Sequence, residues 1–246
     1  SNIVLAGKSL HGVVDVIPVP VGIVIGAIGS GIIGIIGYRF IHVLNRIGTW
    51  VLGAGIVLGF GYIFTHVQTA DFLTRGNFNI SGWLATVSLA ALWQIAFAPY
   101  VSDYSRYLPA DVPVASTFWT TYLGTVLGSS LSFIFGAVAV LATPVGMDTM
   151  DAVKLATGSI GPLMLLLFLL SVISHNALNL YGAVLSLITL VQTFAYRWVP
   201  TAKARAVISV LVLAACSIAA VFASKDFIGH FVDMVLVLLV VLVPWT

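Results

Sequence analysis

Two clusters of polar side chains interrupt an otherwise apolar chain, and their types suit binding or relay more than bond cleavage. Trp93 and Gln94 stand side by side in LAALWQIAFAPYVSDYSRYLP. The indole offers a flat apolar face to a planar ring, while the carboxamide offers one acceptor and two donors, a set that matches an amide or amidine edge. Pro99 has no amide hydrogen, so the carbonyl of Ile95 one turn earlier loses its partner and the helix is expected to bend or break there. The second cluster lies in GPLMLLLFLLSVISHNALNLYGAVLSLITL. At roughly 100° per residue, Ser171, His175, Asn179, Gly182 and Ser186 share one narrow arc, with Asn176 just beside it. Such a face could coordinate a small cation, hold a polar ligand, or relay a proton through His175. The same residues also suit plain structural work, with Trp93 packing, Gln94 joining two helices, and the second cluster forming an interhelical hydrogen-bond network.

A reading of another class makes His175 the base of an intramembrane enzyme. No nucleophile or metal ligand accompanies it at a readable spacing. HExxH, GxSxG, a Gly-rich phosphate loop and paired intramembrane aspartates are all missing from the sequence, so no catalytic residue and no metal ligand is assigned.

The elements that must hold these groups follow from composition. Of 246 residues, 60% are hydrophobic and 7% charged, against about a quarter charged in soluble domains. With a mean hydropathy of +1.13, this is the composition of an integral membrane protein, whose first partner is the lipid bilayer. The net charge of +2 rests on few ionisable groups and does not point to nucleic acid. Cys216 is the single cysteine, which excludes an intrachain disulfide.

A spanning helix needs roughly 20 apolar residues to cross about 30 Å of hydrocarbon. Seven segments qualify, near 18–38, 48–66, 82–101, 115–142, 161–191, 205–223 and 227–245, and the first sixteen residues read as half of an eighth. Long apolar runs, rather than ten-residue alternating ones, predict helices and not a barrel. The fold class is therefore an all-α polytopic membrane protein of the cell membrane. SNIVLAGKSLHGV has no initiator Met and LVVLVPWT no polar tail, so residues 1–246 are expected to be a single transmembrane domain, incomplete at both ends, cut from a chain of transporter size.

Lys and Arg accumulate in cytoplasmic loops. The stretches 38–47, 102–114 and 192–204, with the start of the next helix, carry Arg39, Arg46, Arg106, Arg197, Lys203 and Arg205, whereas 67–81, 143–160 and 224–226 carry Arg75, Lys154 and Lys225. The first set is assigned to the cytoplasm, and with it the DYSRY stretch. Gly22, Gly26, Ser30 and Gly34 recur every four residues and predict a close helix contact, and Gly53, Gly55, Gly59 and Gly61 suggest a second one or added flexibility.

The run WQIAFAPYVSDYSRYLP, the run SHNALNLYGAVLSL with its Asn-x-x-Asn-x-Tyr pattern, IIGYRFIHVLNRIGTW and the terminal LVVLVPWT together resemble the nucleobase:cation symporters of the purine-cytosine permease type. These stretches look like that family's sixth helix and its exit, its eighth helix, its loop between helices four and five, and its tenth helix. The resemblance implies a partial leucine-transporter-type inverted-repeat bundle, running from the middle of helix three to the end of helix ten.

It also implies a secondary active transporter that imports a nucleobase, cytosine or a purine, with a cation by alternating access. Allantoin, hydantoin, uracil and thiamine precursors are carried on the same scaffold and remain alternatives. Residue by residue, it puts Trp93, Gln94 and Ala96 at substrate positions, Asn2 near a third-helix amide position, and Asn176 and Asn179 where asparagines matter for purine recognition. Ser174, His175 and Asn176 fall at cation-coupling positions. His175 stands where sodium-coupled relatives have a hydroxyl residue, so the coupling ion is a proton or sodium, and no other cofactor is expected. Asp103 and Arg106, three apart at the inner end of the sixth helix, are candidate gating residues.

Overall fold

The structure, a computed structural model, describes residues 2–67, 72, 78–105, 108–109 and 111–223, and the side chains of residues 38, 96, 99, 103, 104 and 223 lie outside that description. The described residues form α1 (Asn2–Val13), α2 (Val19–Ile36), α3 (Tyr38–His66), α4 (Ile80–Ser105), α5 (Val114–Leu141), α6 (Thr149–Ala156), α7 (Gly161–Phe194) and α8 (Ala202–Ala223), with a short 3-10 turn at 158–160. Six of these, α2, α3, α4, α5, α7 and α8, are long and apolar enough to cross a membrane. The chain is a multi-pass, all-α membrane protein, as its composition dictates. The seventh expected span, 227–245, lies outside the described residues.

Helix boundaries follow local chemistry. Pro18 precedes α2 and Pro113 precedes α5 in extended conformation, positions where proline's fixed φ and missing N–H cost nothing. α6 begins at Asp148, whose side chain accepts the Met150 N–H at 3.1 Å, and carries Asp151 in its first turn and Lys154 in its last, matching the helix dipole at both ends.

α1, α2 and α7 pack most extensively on one another. The expected glycine face of α2 is real: Gly22, Gly26, Ser30 and Gly34 are all buried. A methyl added at Gly22 would stand 2.8 Å from the Gly7 carbonyl oxygen and 3.0 Å from its Cα, and one at Gly26 would stand 2.7 Å from the Ala6 methyl. Ser30 sends its hydroxyl to the Gly26 carbonyl at 2.8 Å, so a polar group sits in this seam without needing an outside partner. Further along, Gly34 faces the Ala177 carbonyl and Leu180 of α7.

On the other side Ile63, Phe135, Met150, Val153, Met164 and Leu165 bring α3, α5, α6 and α7 into one apolar cluster. The Ser9 hydroxyl meets the Met150 sulfur, and ion pairs join Lys8 to Asp148 and Lys154 to Asp15, the latter at 3.3 Å. α6 is thereby seated on α1.

Three expectations need correction. Residues 38–47 are not a loop: α2 and α3 are separated by Gly37 alone, at φ +112°, a backbone state in which a Cβ is strained. Beyond it nothing in YRFIHVLNRI breaks a helix, so polar residues ride on a helical extension. The expected break at Pro99 is absent, because α4 is assigned as one helix from Ile80 to Ser105. Membrane helices tolerate proline, which removes a single donor. The second close contact expected of the α3 glycines is narrower than the four: methyls at Gly55 and Gly59 would strike Leu167 and Phe135, whereas at Gly53 and Gly61 nothing lies within 4 Å.

Candidate functional site

Three helices meet around one cavity. α4 contributes Trp93, Gln94 and Phe97, α5 contributes Thr125 and Ser129, and α7 contributes His175, about a space of about 640 Å³. That volume lies within the roughly 300–1,000 Å³ of small-molecule sites. The cavity continues past Val101 and Ser105 to Leu108 and Val112 at the α4–α5 turn, where an adjoining space of about 680 Å³ shares Gln94, Phe97 and Val101 with it. The lining thus runs toward the turn that the Arg and Lys distribution predicts to be cytoplasmic.

The spacing on α4 explains why these residues converge. Trp93, Phe97 and Tyr100 are separated by four and three residues, one face of a helix, and Gln94 borders that face. The Gln94 amide nitrogen donates to the Ser129 hydroxyl of α5 at 3.4 Å, which leaves its carbonyl oxygen for another partner. Trp93 keeps 45% of its surface exposed, so its ring is available for stacking. On α5, Thr117, Thr121, Thr125 and Ser129 repeat every four residues, and all line one or both spaces. α4 therefore gives the cavity an aromatic wall and a carboxamide, α5 its hydroxyls, and α7 a titratable ring. That set can stack on a flat heterocycle and answer both donors and acceptors on its edge.

The polar face of α7 is divided among neighbours. His175 turns to the cavity. Ser174 donates its hydroxyl to the Asn45 side-chain oxygen of α3 at 2.7 Å. Asn179 accepts from the Tyr100 hydroxyl of α4 at 2.5 Å, and the Tyr100 ring lies 6.2 Å from that of His175 and 5.7 Å from that of Phe97. Asn176 is buried, and its amide nitrogen has no hydrogen-bond partner among the described residues.

Of the residues singled out in the sequence, the structure brings Trp93, Gln94 and His175 together. Asn176, Asn179 and Ser174 sit on the same helix but do not line this cavity, and neither does Asn2, which is half-buried at the start of α1. The side chains of Ala96 and Asp103 and the whole of Arg106 lie outside the described residues. Sequence reasoning missed Ser129, Tyr100 and Asn45. The four-residue repeat of hydroxyls on α5 was a readable signal for the first, and Tyr100 lies seven residues from Trp93 on one helical face. Asn45 was hidden because its stretch was read as a loop. Among the described residues no cluster of three or more His, Cys, Asp or Glu side chains could hold a metal ion.

Comparison with known proteins agrees with this architecture. No family model matches the chain, and no solved structure matches it. It is 31% identical over 215 residues to the Bacillus subtilis protein YxlA, which carries the name of a purine-cytosine permease, covering 86% of this chain and 46% of that one. It is 23% identical over 206 residues to the purine-cytosine permease fcyB of Emericella nidulans (76% and 39% covered), and 24% identical over 204 residues to the vitamin B6 transporter TPN1 of Saccharomyces cerevisiae (76% and 35% covered). The chain spans less than half the length of these curated relatives. With six apolar helices and these similarities in hand, the chain belongs to the purine-cytosine permease family.

Proposed function

We propose that this chain forms part of a single transmembrane domain of a secondary active transporter, which imports a nucleobase, cytosine or a purine, by alternating access. The observation that carries the reading is the convergence of the Trp93 ring, the Gln94 carboxamide and the His175 imidazole on one cavity. The names of the relatives support it over the intramembrane enzyme built on His175, since all of them are permeases or transporters. In this reading Trp93 stacks on the base and Gln94 reads its edge, Asn176, Ala96 and Asn2 remain the further substrate positions that the resemblance implies, and Asn179, bonded to Tyr100, stands outside the cavity lining. Ser174, His175 and Asn176 serve the coupling cation, a proton or sodium, and Asp103 with Arg106 closes the inner end. A vitamin B6 transporter among the relatives makes other flat heteroaromatic rings natural competitors, alongside allantoin, hydantoin, uracil and thiamine precursors.

The test is uptake of labelled cytosine and adenine by cells expressing the full-length protein, against unlabelled competitors. Saturable uptake is expected, reduced roughly tenfold or more in Trp93→Ala, as the loss of one base–aromatic stack implies. Uptake no greater than in cells without the protein, for either base, would sink the nucleobase reading. Repeating the assay with a pH gradient alone and with a sodium gradient alone separates the two coupling ions.

A further inference from the structure

α4 carries most of the recognition surface yet is lightly held. Its side chains at Trp83, Leu84, Val87, Leu89 and Trp93 are exposed, and Leu92 alone of its described residues belongs to the buried core. Two side-chain hydrogen bonds among the described residues tie it to its neighbours: Gln94 to Ser129 of α5 at 3.4 Å, and Tyr100 to Asn179 of α7 at 2.5 Å. The second is the shorter, and it is reinforced by packing, since the Tyr100 ring lies against the Ile41, Ala177 and Leu178 cluster that joins α3 to α7.

Along α4, Tyr100 falls between residues that line the two ends of the cavity, while its own ring turns from the lining toward α7. One turn before it Phe97 lines the space, and after it Val101 and Ser105 line the path toward the α4–α5 turn. Its ring touches the surroundings of both Phe97 and His175.

From this geometry we propose that Tyr100 is a positioning residue: its hydroxyl, held by Asn179, fastens the inner half of α4 to α7 and so limits access to the cavity from the α4–α5 side. Asn179 acts through that bond rather than by contact with the transported ring. The inference rests on the transport reading above, but it is tested in the absence of substrate, so the two fail separately.

The experiment uses the full-length protein with Cys216 and any other native cysteine replaced by serine, and a reporter Thr125→Cys, half-buried on the cavity wall. Labelling of that cysteine by a membrane-impermeant thiol reagent is timed in inside-out vesicles without substrate. Tyr100→Phe keeps the ring and removes the bond, and is expected to speed labelling about fivefold, as loss of one hydrogen bond allows. Asn179→Ala should give the same increase, and the double variant no more than either alone, because both remove one interaction. Labelling unchanged in Tyr100→Phe, or changes that add in the double variant, would overturn the proposal. Trp93→Ala, in contrast, should cut uptake roughly tenfold or more without altering labelling. Should uptake be missing in every variant and in the parent while labelling still responds to Tyr100→Phe, the transport reading fails and the Tyr100–Asn179 tie stands.

Discussion

Asn176 poses the sharpest question at the scale of single residues. Its side chain is 8% exposed and its amide nitrogen has no partner among the described residues, and a buried donor left unmade costs about 1–3 kcal/mol. Replacing it with a leucine of similar size removes that cost. Asn176→Leu is therefore expected to raise the thermal unfolding midpoint of the purified chain in detergent, while lowering uptake by the full-length protein if the amide serves substrate or cation. A midpoint that falls by several degrees would show that the amide already has a structural acceptor. His175, its neighbour in sequence, illustrates what was legible at this scale: a titratable ring in an apolar span is conspicuous, and it does face the cavity. The pairings Ser174 with Asn45 and Tyr100 with Asn179 were not legible, because each joins residues 129 and 79 positions apart, and no local pattern encodes which polar groups meet across helices.

Among the elements, the seam between α1 and α2 shows how much of a membrane fold rests on the absence of side chains. With no hydrophobic drive between helices in lipid, close backbone contact supplies the attraction, and Gly7 against Gly22 is such a contact. Gly22→Ala forces the two backbones apart and should destabilise the purified chain by about 1–3 kcal/mol. Gly53→Ala meets open space and should be neutral or gain up to about 1 kcal/mol from helix propensity. Thermal denaturation of both variants side by side checks the contrast, and equal effects would remove the special standing of the seam.

The six described spans were readable from length and apolarity to within a few residues. The helical start of α3 and the eight-residue α6 were not, for opposite reasons. The first is a polar stretch that stays helical because nothing stops it, and the second is too short for a periodic signal, although Asp148, Asp151 and Lys154 mark its two ends.

For the whole molecule, apolar spans hold Trp93, Gln94 and His175 around one cavity whose lining runs on toward the α4–α5 turn. One dimension has a further effect. α7 is 34 residues long, about 51 Å at 1.5 Å per residue, against about 30 Å of hydrocarbon. The surplus of about 20 Å must be taken up by tilt or by turns standing clear of the acyl chains. His175 is rooted midway along this rod, some 21 Å from its start, so the depth of the cavity is tied to the thickness of the host membrane. Reconstituted into vesicles of increasing acyl-chain length, the full-length protein should show an uptake rate that peaks at one thickness and declines on either side. A flat profile would mean that tilt absorbs the whole mismatch. Lipid chain length would then act on the transporter as a mechanical setting, reaching its centre through a helix longer than the membrane it crosses.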